Sequence, residues 1–273
     1  MPDLILLAMD GSPASKQAAK ASIEIAKKRN LIILGLYVVD EAFISDPQSD
    51  ILAELGTNEL PTSKADLLSR FVLQGQVALN WLEKCCHESN VIASTNILFG
   101  SVTETIIKEA DRASLVALGR RGHTHISDQK NLGLNFRSIA LHTKKPLLVG
   151  GEELRPIKRV LAALRGGSGS EETVKWAANL QRTLDFELIT LAVTEEKDES
   201  PGTRLQIDNS GVQNQKVIHR KGQPAEEIIN AAEENRVDLV IMGHYRNSTL
   251  DEWLTGSIPD QVLRLSHIPV IIV

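Results

Sequence analysis

Leu, Ile and Val gather in short continuous runs near residues 3–9, 31–39, 92–99, 114–118 and 146–149. They gather again near 158–164, 187–193, 215–220, 237–242 and 269–273. The runs lack the polar alternation of a half-wetted sheet, which predicts parallel strands covered on both faces. Helical patterns fill the intervals. Ser12-Pro13 is an N-cap followed by proline at the first helical position, and predicts a helix to about Arg29. Residues 64–88 read as a long amphipathic helix. Ser101-Val-Thr-Glu104 is a capping box ahead of Ile106 and Ile107, and Pro224-Ala-Glu226 repeats that start later in the chain. Strand and helix in alternation predict an α/β fold with right-handed crossovers and helices on both sheet faces.

The plan occurs twice. Gly119-Arg-Arg-Gly122, a loop to Gly133 and the run Pro146-Leu-Leu-Val149 reappear as Gly243-His-Tyr-Arg246, a loop to Gly256 and Pro269-Val-Ile-Ile-Val273. The first glycine recurs 124 residues on, and the last glycine and the proline 123 residues on. Such long-period similarity implies two copies of one unit. At 273 residues the chain suits two domains of about 100–150 residues each. The boundary is expected at Gly150–Pro156, giving domains over 1–150 and 157–273, each a doubly wound five-stranded parallel sheet. The halves differ at one interval. Residues 41–90 hold a loop and the long helix, whereas Glu195–Gln215 reads as loop, so the second half is expected to lack that helix.

Charge and cysteines narrow the function classes. A net charge of -5 gives no general electrostatic reason to bind nucleic acid or an anionic membrane. No apolar run approaches the roughly 20 residues of a membrane span, and the opening Leu4–Met9 run is too short for a signal peptide. Cys85 and Cys86, the only cysteines, are adjacent, which excludes a disulfide framework and suits a reducing cytoplasm.

In such a sheet ligands bind beyond the carboxyl ends of the strands, where the strand order reverses. Two features of the first half fall on such ends. The first strand finishes in Asp10-Gly11-Ser12, and the fourth in Gly119-Arg120-Arg121-Gly122, with a further helix beginning after Gly133. Glycines admit an anion to backbone N–H groups, and a helix start adds unpaired donors. A carboxylate at the neighbouring strand end suits sugar hydroxyls or a base. Neither common phosphate signature, G-x-x-x-x-G-K-[ST] or G-x-G-x-x-G after the first strand, is present.

The pattern resembles the universal stress protein family, in its tandem form. The resemblance covers nearly the whole chain: Ala8-Met9-Asp10-Gly11-Ser12, Tyr37-Val38-Val39-Asp40, Gly100, the Gly119 motif and the Pro146 strand. ATP-binding members carry G-x2-G-x9-G-[ST] after strand four and an Asp after strand one, on a fold similar to the adenine-nucleotide α-hydrolases. The resemblance implies that Asp10, Gly11 and the backbone at Val39 hold adenosine. It implies that Gly119, Gly122 and Gly133 hold ribose and phosphates, with Arg120, Leu134 and Asn135 beside them. The implied cofactor is ATP, with or without Mg. The departures are specific. Ten residues separate Gly122 from Gly133, and Leu134 replaces the Ser or Thr, a role that falls to Asn135. In the second half Gly243, Gly256 and Ser257 remain, but Arg246 replaces the second glycine and Arg165 stands where Asp10 stands, so this site is expected to be degenerate.

The remaining candidate residues fit blander roles. His123 and His125, with Asp128 nearby, could chelate a metal, but the two histidines lack a third fixed ligand and no metal is expected. Cys85-Cys86-His87 ends a helix and needs no redox role. Trp81, Trp176 and Trp253 read as core or interdomain anchors, and Gly166–Ser170 as a strand–helix turn. No Ser or Cys nucleophile pairs with a base, so any ATP hydrolysis is expected to be slow. The expectation is a cytoplasmic stress-response protein whose nucleotide occupancy governs an unknown protein partner. The alternatives are an adaptor with empty pockets and a weak nucleotide hydrolase. The two halves are expected to pair as an intramolecular pseudo-dimer through their closing strands, and a further homodimer is left open.

Overall fold

The computed structural model describes residues 4–42, 61–122, 132–152, 155–164, 168–194, 215–243 and 256–273. The chain divides into two compact units, residues 1–150 and 151–273. Unit 1 contains β1 (Leu4–Ala8), α1 (Pro13–Arg29), β2 (Ile32–Asp40), α2 (Lys64–Glu88), β3 (Ala93–Gly100), α3 (Val102–Ala110), β4 (Leu115–Leu118), α4 (Leu134–His142) and β5 (Leu147–Val149). Unit 2 contains β6 (Arg159–Leu164), α5 (Ser168–Gln181), β7 (Glu187–Thr194), β8 (Gln215–Lys221), α6 (Pro224–Glu234), β9 (Leu239–Met242), α7 (Ile258–Leu265) and β10 (Val270–Ile272). The expected interval without a helix, 196–214, lies outside the described residues.

Each unit is a doubly wound parallel sheet. Unit 1 runs β3-β2-β1-β4-β5 and unit 2 runs β8-β7-β6-β9-β10, the same order twice. The chain steps outward from β1 through β2 to β3, then returns across to β4. The order therefore reverses between β1 and β4, where carboxyl ends of neighbouring strands leave a crevice. Ile5, Leu6, Leu7, Leu36, Leu147 and Leu148 are fully buried at the centre of unit 1. The run at β3 departs from expectation. Its residues alternate between exposed and half-buried because it ends the strand order and is hydrogen-bonded to β2 alone.

Capping fixes where the helices begin. Ser12 Oγ accepts the Ser15 N–H at 3.2 Å above Pro13, and α1 ends at Asn30 in the left-handed region at φ 53°. Ser101 Oγ accepts the Glu104 N–H at 3.5 Å. The start of α6 keeps Pro224 without a capping box, since the Gln223 side chain makes no cap bond.

Small residues let α1 and α2 lie close on the sheet. A Cβ on Gly150 would stand 2.5 Å from Ala18 N, and one on Gly35 2.5 Å from Leu82 Cδ2. Gly75, inside α2, would meet the Tyr37 ring at 2.7 Å. Glycine within a helix costs about 1 kcal/mol relative to alanine, yet here it is the residue that admits the ring. Trp81 and Trp176 are half-buried rather than core, and Lys16 Nζ lies 5.7 Å from the Trp81 ring centre. Trp253 is outside the described residues. Among the described residues no helix is long and apolar enough to cross a membrane.

Candidate functional site

The reversal in unit 1 opens into a cavity of about 310 Å³, lined from seven elements and the turns after β1 and β4. Its apolar wall is Leu36, Tyr37 and Val38 of β2, Phe71 of α2, Val102 and Ile106 of α3 and Ile139 of α4. Its polar end gathers Asp10, Gly119, Arg121, Gly122, Gly133, Leu134 and Asn135, with Asp40 at the tip of β2. That size is at the lower end of small-molecule sites, which span roughly 300–1,000 Å³.

The Asp10 corner is shaped by its own turn. Gly11 sits at φ 84°, a conformation that L side chains rarely adopt, and lets the chain reverse tightly. Asp10 Oδ1 then accepts the Ser12 N–H at 2.9 Å. Opposite lies Gly122, where an added Cβ would stand 3.1 Å from Asp10 Oδ2. The end of β4 thus comes so close to the carboxylate that a methyl at 122 would press on it.

The start of α4 is the electropositive feature. Its N-cap is Gly133, there is no side-chain cap and its first turn holds no acidic residue. The Gly133 N–H is used by the Arg120 carbonyl at 3.0 Å. The N–H groups of Leu134, Asn135 and Phe136 have no intrahelical acceptor, and they carry the positive end of the helix dipole. Three donors at one cavity end suit a phosphate or carboxylate.

The expected site residues sort into three groups. Asp10, Gly119, Gly122, Gly133, Leu134 and Asn135 come together at the cavity. Gly11 stands behind it as the turn. Arg120 and Val39 do not line it. Arg120 is buried at 4% exposure, its carbonyl tied to Gly133, and Arg121 takes the lining position instead. Val39 is fully buried, and its neighbours Val38 and Asp40 form the wall. Two assignments change in kind. Gly119 is first a packing residue, since a Cβ there would be 2.8 Å from Ser15 N and 3.0 Å from Ala14 C. Asn135 lies inside α4 and accepts the Thr103 hydroxyl at 3.4 Å, so it does not supply the missing N-cap.

Among the residues sequence reasoning passed over, Phe71 and Ile106 carried no signal beyond ordinary helix periodicity. Asp40 closes the Tyr37–Asp40 stretch, and its Oδ1 accepts the Ala42 N–H at 2.9 Å.

The helix that follows Gly256 in the second half, unlike α4, starts with a side-chain cap. Gly243 follows β9, and Gly256 has φ 93°. Ser257 is the N-cap of α7, its Oγ accepting the Asp260 N–H at 3.2 Å, while Asp260 Oδ2 accepts the Gly256 N–H at 3.3 Å. Ser257 is therefore a cap already in use. Arg165, Arg246 and the residues His123, His125 and Asp128 lie outside the described residues, as do Gly166 and Gly167. Among the described residues no group of three His, Cys, Asp or Glu is placed to hold a metal. Burial pushes the Cys86 thiol up to about 11, with the neighbouring Cys85 and Glu83 adding to the rise, and burial raises the half-buried Cys85 thiol too. Neither is a ready thiolate.

Comparison with known proteins points one way. The universal stress protein family model matches residues 1–149 and 196–273. The universal stress protein Slr1230 of Synechocystis sp. is 29% identical over 287 residues, covering 98% of this chain and 98% of its own. The universal stress protein MJ0577 of Methanocaldococcus jannaschii is 28% identical over 135 residues, 49% of this chain and 78% of its own. A solved universal stress protein from Archaeoglobus fulgidus superposes with a TM-score of 0.78 at 20% identity, covering 100% of this chain and 98% of that one. That last likeness speaks to the fold alone. Family match and repeated sheet order together settle the kinship: the chain belongs to the universal stress protein family.

Proposed function

We propose that unit 1 binds an adenine nucleotide, ATP, in the cavity at the β1–β4 reversal. The observation that carries this reading is the open start of α4, facing one end of a cavity whose other end is apolar. Phosphates fit the Leu134–Phe136 N–H groups and Arg121. The sugar fits the Asp10 carboxylate, and the base lies between Val38, Phe71 and Ile106. If Mg accompanies the phosphates, Asp10 and Asp40 are the carboxylates lining this cavity that can approach it. Among the lining residues no nucleophile is paired with a base. Of the lining hydroxyls, Ser15 Oγ donates to Ser12 O at 3.0 Å and Tyr37 OH to Gln74 Oε1 at 3.3 Å.

A nucleotide held and scarcely turned over acts by binding two conformations unequally. The chain accordingly works in stress response as a nucleotide-dependent switch for a protein partner. One observation favours an adaptor with an empty pocket: Leu134, at the place of the motif's hydroxyl residue, is 71% exposed. Denaturing the purified protein and identifying released nucleotide by mass, followed by calorimetric titration with ATP, separates the two. A released adenine nucleotide or a one-site isotherm supports the switch. No nucleotide and no heat of binding support the adaptor.

A further inference from the structure

The two units end their strand orders in unlike edges. Among the described residues β3 is hydrogen-bonded to β2 alone and β8 to β7 alone. An exposed edge is a template for another strand, and proteins guard it with charge or proline. The β8 edge carries Lys216, Arg220 and Lys221. The β3 edge runs eight residues, Ala93-Ser-Thr-Asn-Ile-Leu-Phe-Gly100, with neither charge nor proline. Ile92, just before it, is 67% exposed, and Phe99, near its end, is 51% exposed.

The pairing with β2 fixes which backbone groups of β3 remain. Ile92 O accepts the Ile33 N–H at 2.9 Å, and Ala93 lies opposite Ile33. Even-numbered residues of β3 therefore turn their N–H and C=O groups to β2, and Ala93, Thr95, Ile97 and Phe99 turn theirs to the open edge. An antiparallel copy of the same strand fits this edge when Asn96 faces itself across a twofold axis. Thr95 then stands opposite Ile97 of the second copy, Phe99 opposite Ala93 and Ile92 opposite Gly100. Each bulky exposed side chain meets a small residue, and no like charges meet. The four outward residues become hydrogen-bonded pairs that exchange about eight bonds.

The helix beside the edge favours a second copy over a lone peptide strand. Thr95 donates its hydroxyl to Glu83 Oε1 of α2 at 2.5 Å, and α2 also packs on β2, where Leu79 and Leu82 close over Gly35. The helix thus lies over the β2–β3 pair. In the joined sheet the two copies of α2 stand two strand spacings apart, about 9.6 Å. Packed helices lie roughly 8–10 Å apart. A second copy therefore pairs the edge and flanks it with a helix at packing distance.

We propose that β3 is a self-association edge, through which two chains join antiparallel over Ala93–Phe99 with Asn96 at the axis. Such a contact is isologous and closes at two copies. It does not depend on whether unit 1 holds a nucleotide.

Oxidative cross-linking of the full chain carrying Asn96→Cys tests it directly. Facing Cα atoms in a non-hydrogen-bonded antiparallel pair lie about 4.5 Å apart, inside the disulfide range. The variant should form a covalent dimer, and peptide mapping should find the two introduced thiols joined. Ser94→Cys should not, because its two copies lie four residues apart along the ladder, about 13 Å. Analytical ultracentrifugation should find wild-type dimers. Ile97→Pro deletes an outward N–H that β2 does not use, and should weaken them at least tenfold. Circular dichroism checks its fold. If it does not fold, Asn96→Lys at an exposed position should weaken the dimer instead, by setting like charges face to face at the axis. A wild type that stays monomeric at millimolar concentration would overturn the proposal. So would dimers insensitive to the folded variant, no cross-link at position 96, or an equal one at position 94.

Discussion

Gly119 and Gly122 belong to one short motif, but the structure gives them different duties, and a pair of alanine substitutions should separate them. A methyl at 119 would lie 2.8 Å from Ser15 N and 3.0 Å from Ala14 C. Both atoms are backbone at the start of α1, so no side-chain rotation relieves the clash. Overpacking of this kind costs about 1–3 kcal/mol. Loss of glycine's freedom in the unfolded chain offsets about 0.4–1 kcal/mol of that. A net loss of about 1–2 kcal/mol corresponds to a fall of about 2–8 °C for a unit of this size. A methyl at 122 meets Asp10 Oδ2 at 3.1 Å, which is the end of a side chain. That carboxylate is tied to Ser12 through its other oxygen, so it can shift only slightly. Gly122→Ala should therefore cost under about 1 kcal/mol of stability and act on ligand affinity instead. Thermal unfolding by circular dichroism gives the stabilities, and calorimetric titration with ATP gives the affinities. The reasoning is refuted if Gly122→Ala melts as low as Gly119→Ala, or if Gly119→Ala leaves the melting temperature unchanged.

Three further outcomes follow from the same geometry. Asp10→Asn keeps an oxygen for the Ser12 N–H and loses the charge, so ATP affinity should fall by about 1–2 kcal/mol with little change in stability, and calorimetry beside a melting curve reads both. Gly75→Ala should destabilise by about 1–2 kcal/mol despite alanine's higher helix propensity, because overpacking against the Tyr37 ring outweighs the propensity gain; urea unfolding would show the opposite sign if the ring can retreat. At the cysteines, iodoacetamide near pH 8 should label Cys85 before Cys86, which is 1% exposed, and peptide mapping finding Cys86 first would contradict the burial. Cys86 is held protonated in the fold, so its contribution to stability is fully present below the unfolded thiol's value near 9. It should decline as pH rises from there towards about 11, which a series of melting curves can follow.

The fold was written in the apolar runs. Strands buried on both faces show as unbroken Leu, Ile and Val, so β1, β2 and β4 fall within a residue or two of expectation. The β3 run misled slightly, since Asn96 and Thr95 signalled a partly open strand that its Ile and Leu outweighed. At the site, Asp10, Gly122 and Gly133 were legible because a strand end, a turn and a helix start each leave local marks. Choosing Arg120 over Arg121 was not, because spacing does not say which of two adjacent side chains turns inward. The lining by Phe71 and Ile106 depends on how α2 and α3 pack, which no local pattern encodes. Asp260 is different. Ser257-Ile-Pro-Asp260 is the same kind of capping signal as Ser101-Val-Thr-Glu104, and it marks the helix start as already satisfied. Its Asp260 accepts the Gly256 N–H, and Ser257 Oγ accepts the Asp260 N–H in return.

The central claim is that nucleotide phosphates occupy the open amide groups at the start of α4. The most direct measurement is an amide ¹H–¹⁵N NMR titration of the full chain with ATP. The account predicts saturable shifts at Leu134, Asn135, Phe136 and Gly122, with Asp10 and Ser12 following and residues 256–260 unmoved. Saturable shifts that leave Leu134–Phe136 untouched, or no shifts at millimolar ATP, would contradict it.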